Sequence, residues 1–93
     1  MRIYVGNLPK DTEEDDLIEM FSEYGSVKNI KIIRDRFSNN SRGYAFLELP
    51  DAKAAFEAIR DWDQGSIDDQ IIRVDIAKAS LKEFESYRQQ LRH

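Results

Sequence analysis

Cysteine is absent from these 93 residues, and histidine occurs once, as the last residue, His93. The first absence excludes disulfides and thiolate metal sites. The second leaves no imidazole for a nucleophilic triad or a zinc centre. No apolar run approaches the roughly 18 residues of a membrane span. Acids are scattered through the first twenty residues, unlike a signal peptide. These absences predict one small, soluble, intracellular domain with no metal, no cofactor and no membrane partner.

Positive charge is also in short supply. The 14 Lys and Arg residues face 18 Asp and Glu, a net charge of −4, whereas nucleic-acid-binding domains are usually basic. The total conceals an alternation. Residues 1–9, 26–49 and 71–93 carry +1, +3 and +2, and residues 10–25 and 50–70 carry −6 and −4.

The elements explain that alternation. "RIYVGNL" (Arg2 to Leu8) is β-branched and aromatic, then broken by Gly6, Asn7 and Pro9, and reads as a strand. Thr12 is the expected cap of a helix opened by Glu13, Glu14 and Asp15, with Leu17, Phe21 and Tyr24 at helical spacing up to Gly25. Val27 to Asp35 is a second strand, and Arg36 to Ser41 a loop whose asparagines tolerate left-handed backbone. "SRGYAFLEL" (Ser41 to Leu49) is a third strand, stopped by Pro50. Asp51 caps a second helix with Ala52, Ala55, Phe56 and Ile59 on one stripe. A long polar connection, Arg60 to Gln70, leads to a fourth strand, Ile71 to Ala77. Residues 80–93 form an amphipathic helix with Leu81, Phe84, Tyr87 and Leu91 on one side.

The order β-α-β-β-α-β predicts an α+β, ferredoxin-like fold over residues 1–79, followed by the C-terminal helix. Right-handed crossovers put both helices behind a four-stranded antiparallel sheet whose central pair is the first and third strands. The acidic segments then lie behind the sheet. Alternation along the strands puts Ile3, Val5, Ala45, Leu47 and Leu49 in the core, and Tyr4, Tyr44 and Phe46 on the other face. Three neighbouring rings exposed to water mark a binding surface. With Arg2, Lys31, Arg42 and Arg73 around them they suit single-stranded nucleic acid, whose bases stack on rings and whose phosphates meet cations.

At these residues the chain resembles the RNA recognition motif (RRM) family. "IYVGNL" (Ile3 to Leu8) is similar to its RNP2 motif and "RGYAFLEL" (Arg42 to Leu49) to RNP1. Arg42, Gly43, Tyr44, Ala45 and Phe46 match the RNP1 pattern. Leu47 and Leu49 depart from it on the core-facing side. The resemblance implies that Tyr4, Tyr44 and Phe46 stack on bases or sugars, that Arg42 pairs with a phosphate, and that Arg73 to Ala79, including Lys78, frames bases. Asn7 corresponds to a common Asn of the family, read here as shaping the loop. The connection carrying Trp62 is longer than usual, and Asp69 stands where Gly is usual. The short chain also resembles small stand-alone bacterial members, although a domain excised from a longer protein fits equally.

The partner expected is single-stranded RNA, with single-stranded DNA as a related ligand, in the cytoplasm if bacterial and in the nucleus or cytoplasm if eukaryotic. The alternative is a protein–protein module using the same face, or a protein partner or second copy docked on the C-terminal helix. Small phosphatases share this element order. However, "GNLPKDT" (Gly6 to Thr12) has no glycine beyond Gly6 and two acids nearby, so catalysis is not expected. Trp62 is read as an anchor over the second helix. Arg34 and Arg36 form either an electrostatic arm or a solvated surface.

Overall fold

The computed structural model describes residues 1–77. The expected C-terminal helix and Lys78 lie outside the described residues. In chain order the elements are β1 (Arg2–Gly6), α1 (Glu14–Phe21), a 3-10 turn (Ser22–Tyr24), β2 (Lys28–Arg34), β3 (Ser41–Glu48), α2 (Ala52–Trp62), β4 (Ser66–Ile67), β5 (Gln70–Ile71) and β6 (Arg73–Ile76). The main sheet is antiparallel with order β2-β3-β1-β6, so β1 and β3 are the central pair, as alternation and topology predicted.

The core lies on one face of this sheet. Ile3 and Val5 of β1, Ala45 and Leu47 of β3, and Val74 of β6 pack against Leu17 and Phe21 of α1 and Ala54, Ala55 and Ala58 of α2. Both helices therefore cover the aliphatic face. The alanines let α2 lie close to the strands, and this corrects the expected stripe. Ala52 is exposed and Phe56 is 59% exposed, while Ala54, Ala58 and the half-buried Ile59 and Trp62 continue the buried side. Trp62, expected as a loop anchor over the second helix, is instead the last residue of α2, with its ring 6.2 Å from that of Phe21 in α1.

The helix starts follow their acids. Asp51 caps α2 by accepting from the Ala54 amide at 2.9 Å. The cap of α1 is Glu13 and not Thr12, one residue later than expected. The Glu13 amide donates to the Asp16 carboxylate at 2.8 Å, so the acid at the third helical position completes the box. Thr12 is buried instead.

The loop expected over Arg60–Gln70 is shorter, since α2 runs to Trp62, and it contains a small hairpin of β4 and β5 that also takes Ile71 from the expected fourth strand. Ile67 pairs with Gln70 across Asp68 and Asp69, both at positive φ (47° and 69°). Two consecutive left-handed residues are the signature of a tight hairpin whose twist matches its strands. Asp69 thus adopts the conformation for which the family pattern uses Gly. Asn7, also at positive φ, fixes the hairpin to the end of β1: its side-chain amide donates to the Ile71 carbonyl at 2.7 Å, and its own carbonyl accepts from Gln70 at 2.9 Å. Both bonds assign Asn7 the loop-shaping role expected of it.

Candidate nucleic-acid interface

The face of the sheet opposite the helices is built around Tyr4, Tyr44 and Phe46. Tyr4 is the register partner of Phe46 on the adjacent central strands, and Tyr44 is the partner of Gly6. Their ring centroids are 5.8 Å (Tyr4–Phe46), 6.2 Å (Tyr4–Tyr44) and 6.3 Å (Tyr44–Phe46) apart, tilted or edge-on. Such edge-to-face contacts match the positive rim of one ring with the negative face of the next. Gly6 is part of this arrangement, since a β-carbon there would run into the Tyr4 ring and its hydroxyl.

Burial departs from expectation. Tyr44 and Phe46 are only 5% and 2% exposed, and Tyr4 is half-buried. Alternation assigned the face correctly but not its accessibility. The rings form a second apolar cluster, joined by Ile33 of β2 and by Ala77 beyond β6. Ala77 belongs to the segment that the resemblance assigned to framing bases, whereas Ile33 was not identified from sequence. Ile33 stands two positions after Lys31 on the same strand, so the alternation that placed Lys31 could have placed it.

Charge surrounds the cluster unevenly. The Arg2 guanidinium stands 5.9 Å from the centre of the Phe46 ring, within cation–π range. Lys31 is the exposed register partner of Phe46. An extra residue in β2, where Asn29 takes φ 52°, separates the Lys28–Glu48 and Lys31–Phe46 pairs. The Asn29 amide holds Glu48 at 2.8 Å. Two carboxylates therefore belong to this face as well: Glu48, the partner of Arg2, and Asp75, the partner of Tyr4. Asp75 escaped the sequence reading although it lies two residues from Arg73.

Arg42 and Arg73 occupy the margins. β3 is irregular between Ser41 and Ala45, and Gly43 takes φ 85° there. Its carbonyl accepts from the Leu8 amide at 2.8 Å, and a β-carbon on Gly43 would press on the Leu8 carbonyl at 3.3 Å. This backbone kink puts Arg42 near the β2–β3 hairpin, 3.9 Å from the Asp35 carboxylate. Arg73, opposite Gly6, is 3.9 Å from Asp63 at the end of α2. The structure thus brings Tyr4, Tyr44, Phe46, Arg2 and Lys31 together, and sets Arg42 and Arg73 at the rim with acidic neighbours. Among the described residues no group of His, Cys, Asp and Glu could hold a metal ion, and no helix is long and apolar enough to cross a membrane.

A four-stranded sheet backed by two helices, with rings and cations on the face opposite those helices, defines a domain of the RRM class. Residues 3–73 match the RNA recognition motif, and the chain belongs to that family. It is 40% identical over 73 residues to a chloroplastic 33 kDa ribonucleoprotein of Nicotiana sylvestris, covering 78% of this chain and 22% of the relative. It is 39% identical over 75 residues to the human U11/U12 small nuclear ribonucleoprotein 35 kDa protein, covering 81% and 30%. The chain thus spans less than a third of the length of these curated relatives. They are plant and human proteins, so the expected likeness to small bacterial members gains no support from them. Among solved structures, the RNA-binding protein PG1 superposes with a TM-score of 0.81 at 34% identity, covering 86% of this chain and 96% of that one. The Rna15 RRM with bound RNA superposes with a TM-score of 0.80 at 22% identity, covering 96% of both chains, a likeness of fold.

Proposed function

We propose that this domain binds single-stranded RNA across the face of Tyr4, Tyr44 and Phe46, with single-stranded DNA as a weaker ligand of the same surface. The carrying observation is the contact of three motif rings, 5.8–6.3 Å apart, on the one sheet face that neither helix covers. Bases stack on these rings. Arg2 and Lys31 meet phosphates beside Phe46, Arg42 and Arg73 do so at the rim, and Lys78 is a further candidate phosphate contact. No catalytic step is part of this reading. Membership of ribonucleoproteins among the relatives supports a role in a eukaryotic protein–RNA assembly.

The low exposure of Tyr44 and Phe46 adds a condition: a base stacks on them only after the packing around them opens. Ala77 packs on the ring cluster and donates its amide to the Arg2 carbonyl at 2.9 Å, so the chain leaves the sheet beside the rings. In our reading the apolar residues Leu81, Phe84, Tyr87 and Leu91 compete with RNA for this face. The test is binding of a fluorescent random-sequence RNA pool to the parent, to Tyr44→Leu and Phe46→Leu variants, and to a chain lacking residues 81–93. Leucine fills the space without offering a stacking face. The ring variants should bind at least tenfold more weakly, and the truncated chain several-fold more tightly. Unchanged binding by the ring variants rejects the face assignment, and unchanged binding by the truncated chain rejects the competition.

A further inference from the structure

The helices that cover the aliphatic face leave a groove of about 790 Å³ on their own side of the molecule, away from the rings. It lies between α1 and the junction of α2 with β4. Its size falls within the roughly 300–1,000 Å³ of ligand pockets. The half-buried Met20, Trp62 and Ile67 give it an apolar floor continuous with the core.

Carboxylates stand around that floor. Asp16, Glu19 and Glu23 follow one another at helical spacing from α1 into the 3-10 turn, on the same stripe as Met20. Asp11 precedes the helix, and Asp68 joins them from the β4–β5 turn. Among the described residues no Lys or Arg lines the groove, and none of these five acids takes part in an ion pair.

Folding explains only part of this charge. Asp16 completes the cap of α1, in the first turn, where the positive end of the helix favours an acid. Glu19 and Glu23 have no such use. They sit toward the other end, where the helix dipole disfavours acids and the last turn of α1 has no basic residue. One turn apart, they also repel each other. Thr12 adds a polar group without a partner. It is 7% exposed, lines the groove, and its hydroxyl makes no hydrogen bond among the described residues. No buried side-chain oxygen there is both fully enclosed and unpaired, so this hydroxyl opens on the groove.

The walls are held in place. The Tyr24 hydroxyl donates to Asp61 at 2.8 Å, which ties the 3-10 turn to the last turn of α2. The bonds of Asn7 and Gln70 fix the hairpin that carries Ile67 and Asp68. A preformed groove lowers the ordering cost of any contact made in it.

We propose that this groove docks a short basic segment of a partner protein, whose arginines pair with the carboxylates while one large apolar side chain rests on Met20, Trp62 and Ile67. Charge complementarity selects that partner. The acidic rim repels RNA, and the apolar floor gives a bare polycation nothing to cover. The Thr12 hydroxyl meets a polar group of the segment's backbone. The chain's own tail starts from the wrong place: it leaves the sheet beside Arg2, at the opposite end of β1 from the loop that carries Asp11. The docking site lies apart from the ring face and stands independently of the RNA reading.

The test is fluorescence anisotropy of two labelled heptapeptides, with three arginines on either side of a central phenylalanine or glycine. The phenylalanine peptide should bind the full chain, and the glycine peptide about tenfold or more weakly, the loss of one buried aromatic side chain. Glu19→Gln with Glu23→Gln should weaken the phenylalanine peptide about 2- to 30-fold, the span of two exposed ion pairs, without lowering the thermal midpoint. Asp15→Asn with Glu57→Gln removes the same charge outside the groove and should leave binding within about twofold, because distant exposed charges are screened.

Equal losses in the two double variants, equal binding of the two peptides, or no binding of the phenylalanine peptide overturn the site. A lowered thermal midpoint in the Glu19→Gln, Glu23→Gln variant overturns it by making those acids supports of the fold. Displacement of the peptide by an equal concentration of spermine would make the groove a polyamine site. A concentration-dependent mass that the same double variant abolishes would make it an interface between copies. Either result overturns the partner segment.

Discussion

The Arg42 guanidinium stands 3.9 Å from the Asp35 carboxylate, so a motif residue of the sheet touches the group that ties the hairpin turn. Hydrogen bonds from the Ser38 and Phe37 amides, aided by Arg42, hold the Asp35 carboxyl below the ordinary carboxylate range. A depressed folded-state pKa means the charged form is favoured by the native turn. Its contribution is full above the ordinary carboxylate value and is lost as pH falls through the depressed one. In an NMR titration, the Phe37 and Ser38 amides should shift with a midpoint below that of Asp35 in a short peptide. A midpoint at or above the peptide's would remove Asp35 from the turn.

Gly43 should tolerate no side chain. Its φ of 85° lies in the left-handed region, and an added β-carbon meets the Leu8 carbonyl at 3.3 Å. Gly43→Ala should cost about 1–2 kcal/mol in urea unfolding from the backbone conformation alone. It should weaken RNA binding too, by moving Arg42 and Tyr44.

Truncating the aliphatic face acts differently from altering the ring face. Leu47 is fully buried between sheet and helices, so Leu47→Ala should destabilise by about 2–5 kcal/mol. At concentrations and temperatures where it remains folded, its RNA affinity should match the parent's. Selective loss of affinity in the folded fraction would mean that the two faces are not separate in function.

Salt dependence reports the number of phosphates neutralised. With Arg2 and Lys31 beside the rings, Glu48 and Asp75 also there, and Arg42 shared with Asp35, few cations are available. Log affinity for single-stranded RNA should fall against log salt with a slope magnitude of about 1–3, and Arg42→Ala should reduce it by somewhat less than about 0.7. A slope typical of polybasic proteins would move the binding surface away from the sheet.

The fold was legible where residue pattern and geometry carry the same information. Alternation in Arg2–Gly6 and from Tyr44 onward assigned both faces of the central strands, and Asp51 marked its helix by its capping chemistry. Legibility failed where a second residue competed. Glu13 displaced Thr12 as cap because Asp16 answers it one turn on, and Phe56 lost the buried stripe of α2 to smaller alanines that bring the helix closer. The β4–β5 hairpin turns on Asp68 and Asp69, residues less typical of left-handed turns than Asn-Gly. For the site, pattern located the three rings but not their cover, because alternation says which way a side chain points and nothing of what packs over it.

The central claim is that RNA bases lie on Tyr4, Tyr44 and Phe46. The most direct measurement is a set of intermolecular NOEs between the protons of these rings and the base and ribose protons of a bound single-stranded RNA chosen by in vitro selection. The account predicts NOEs from all three rings, with Trp62, on the helix side, showing none. NOEs confined to the helix face, or a tight complex in which the three rings show no contact with RNA, would contradict it.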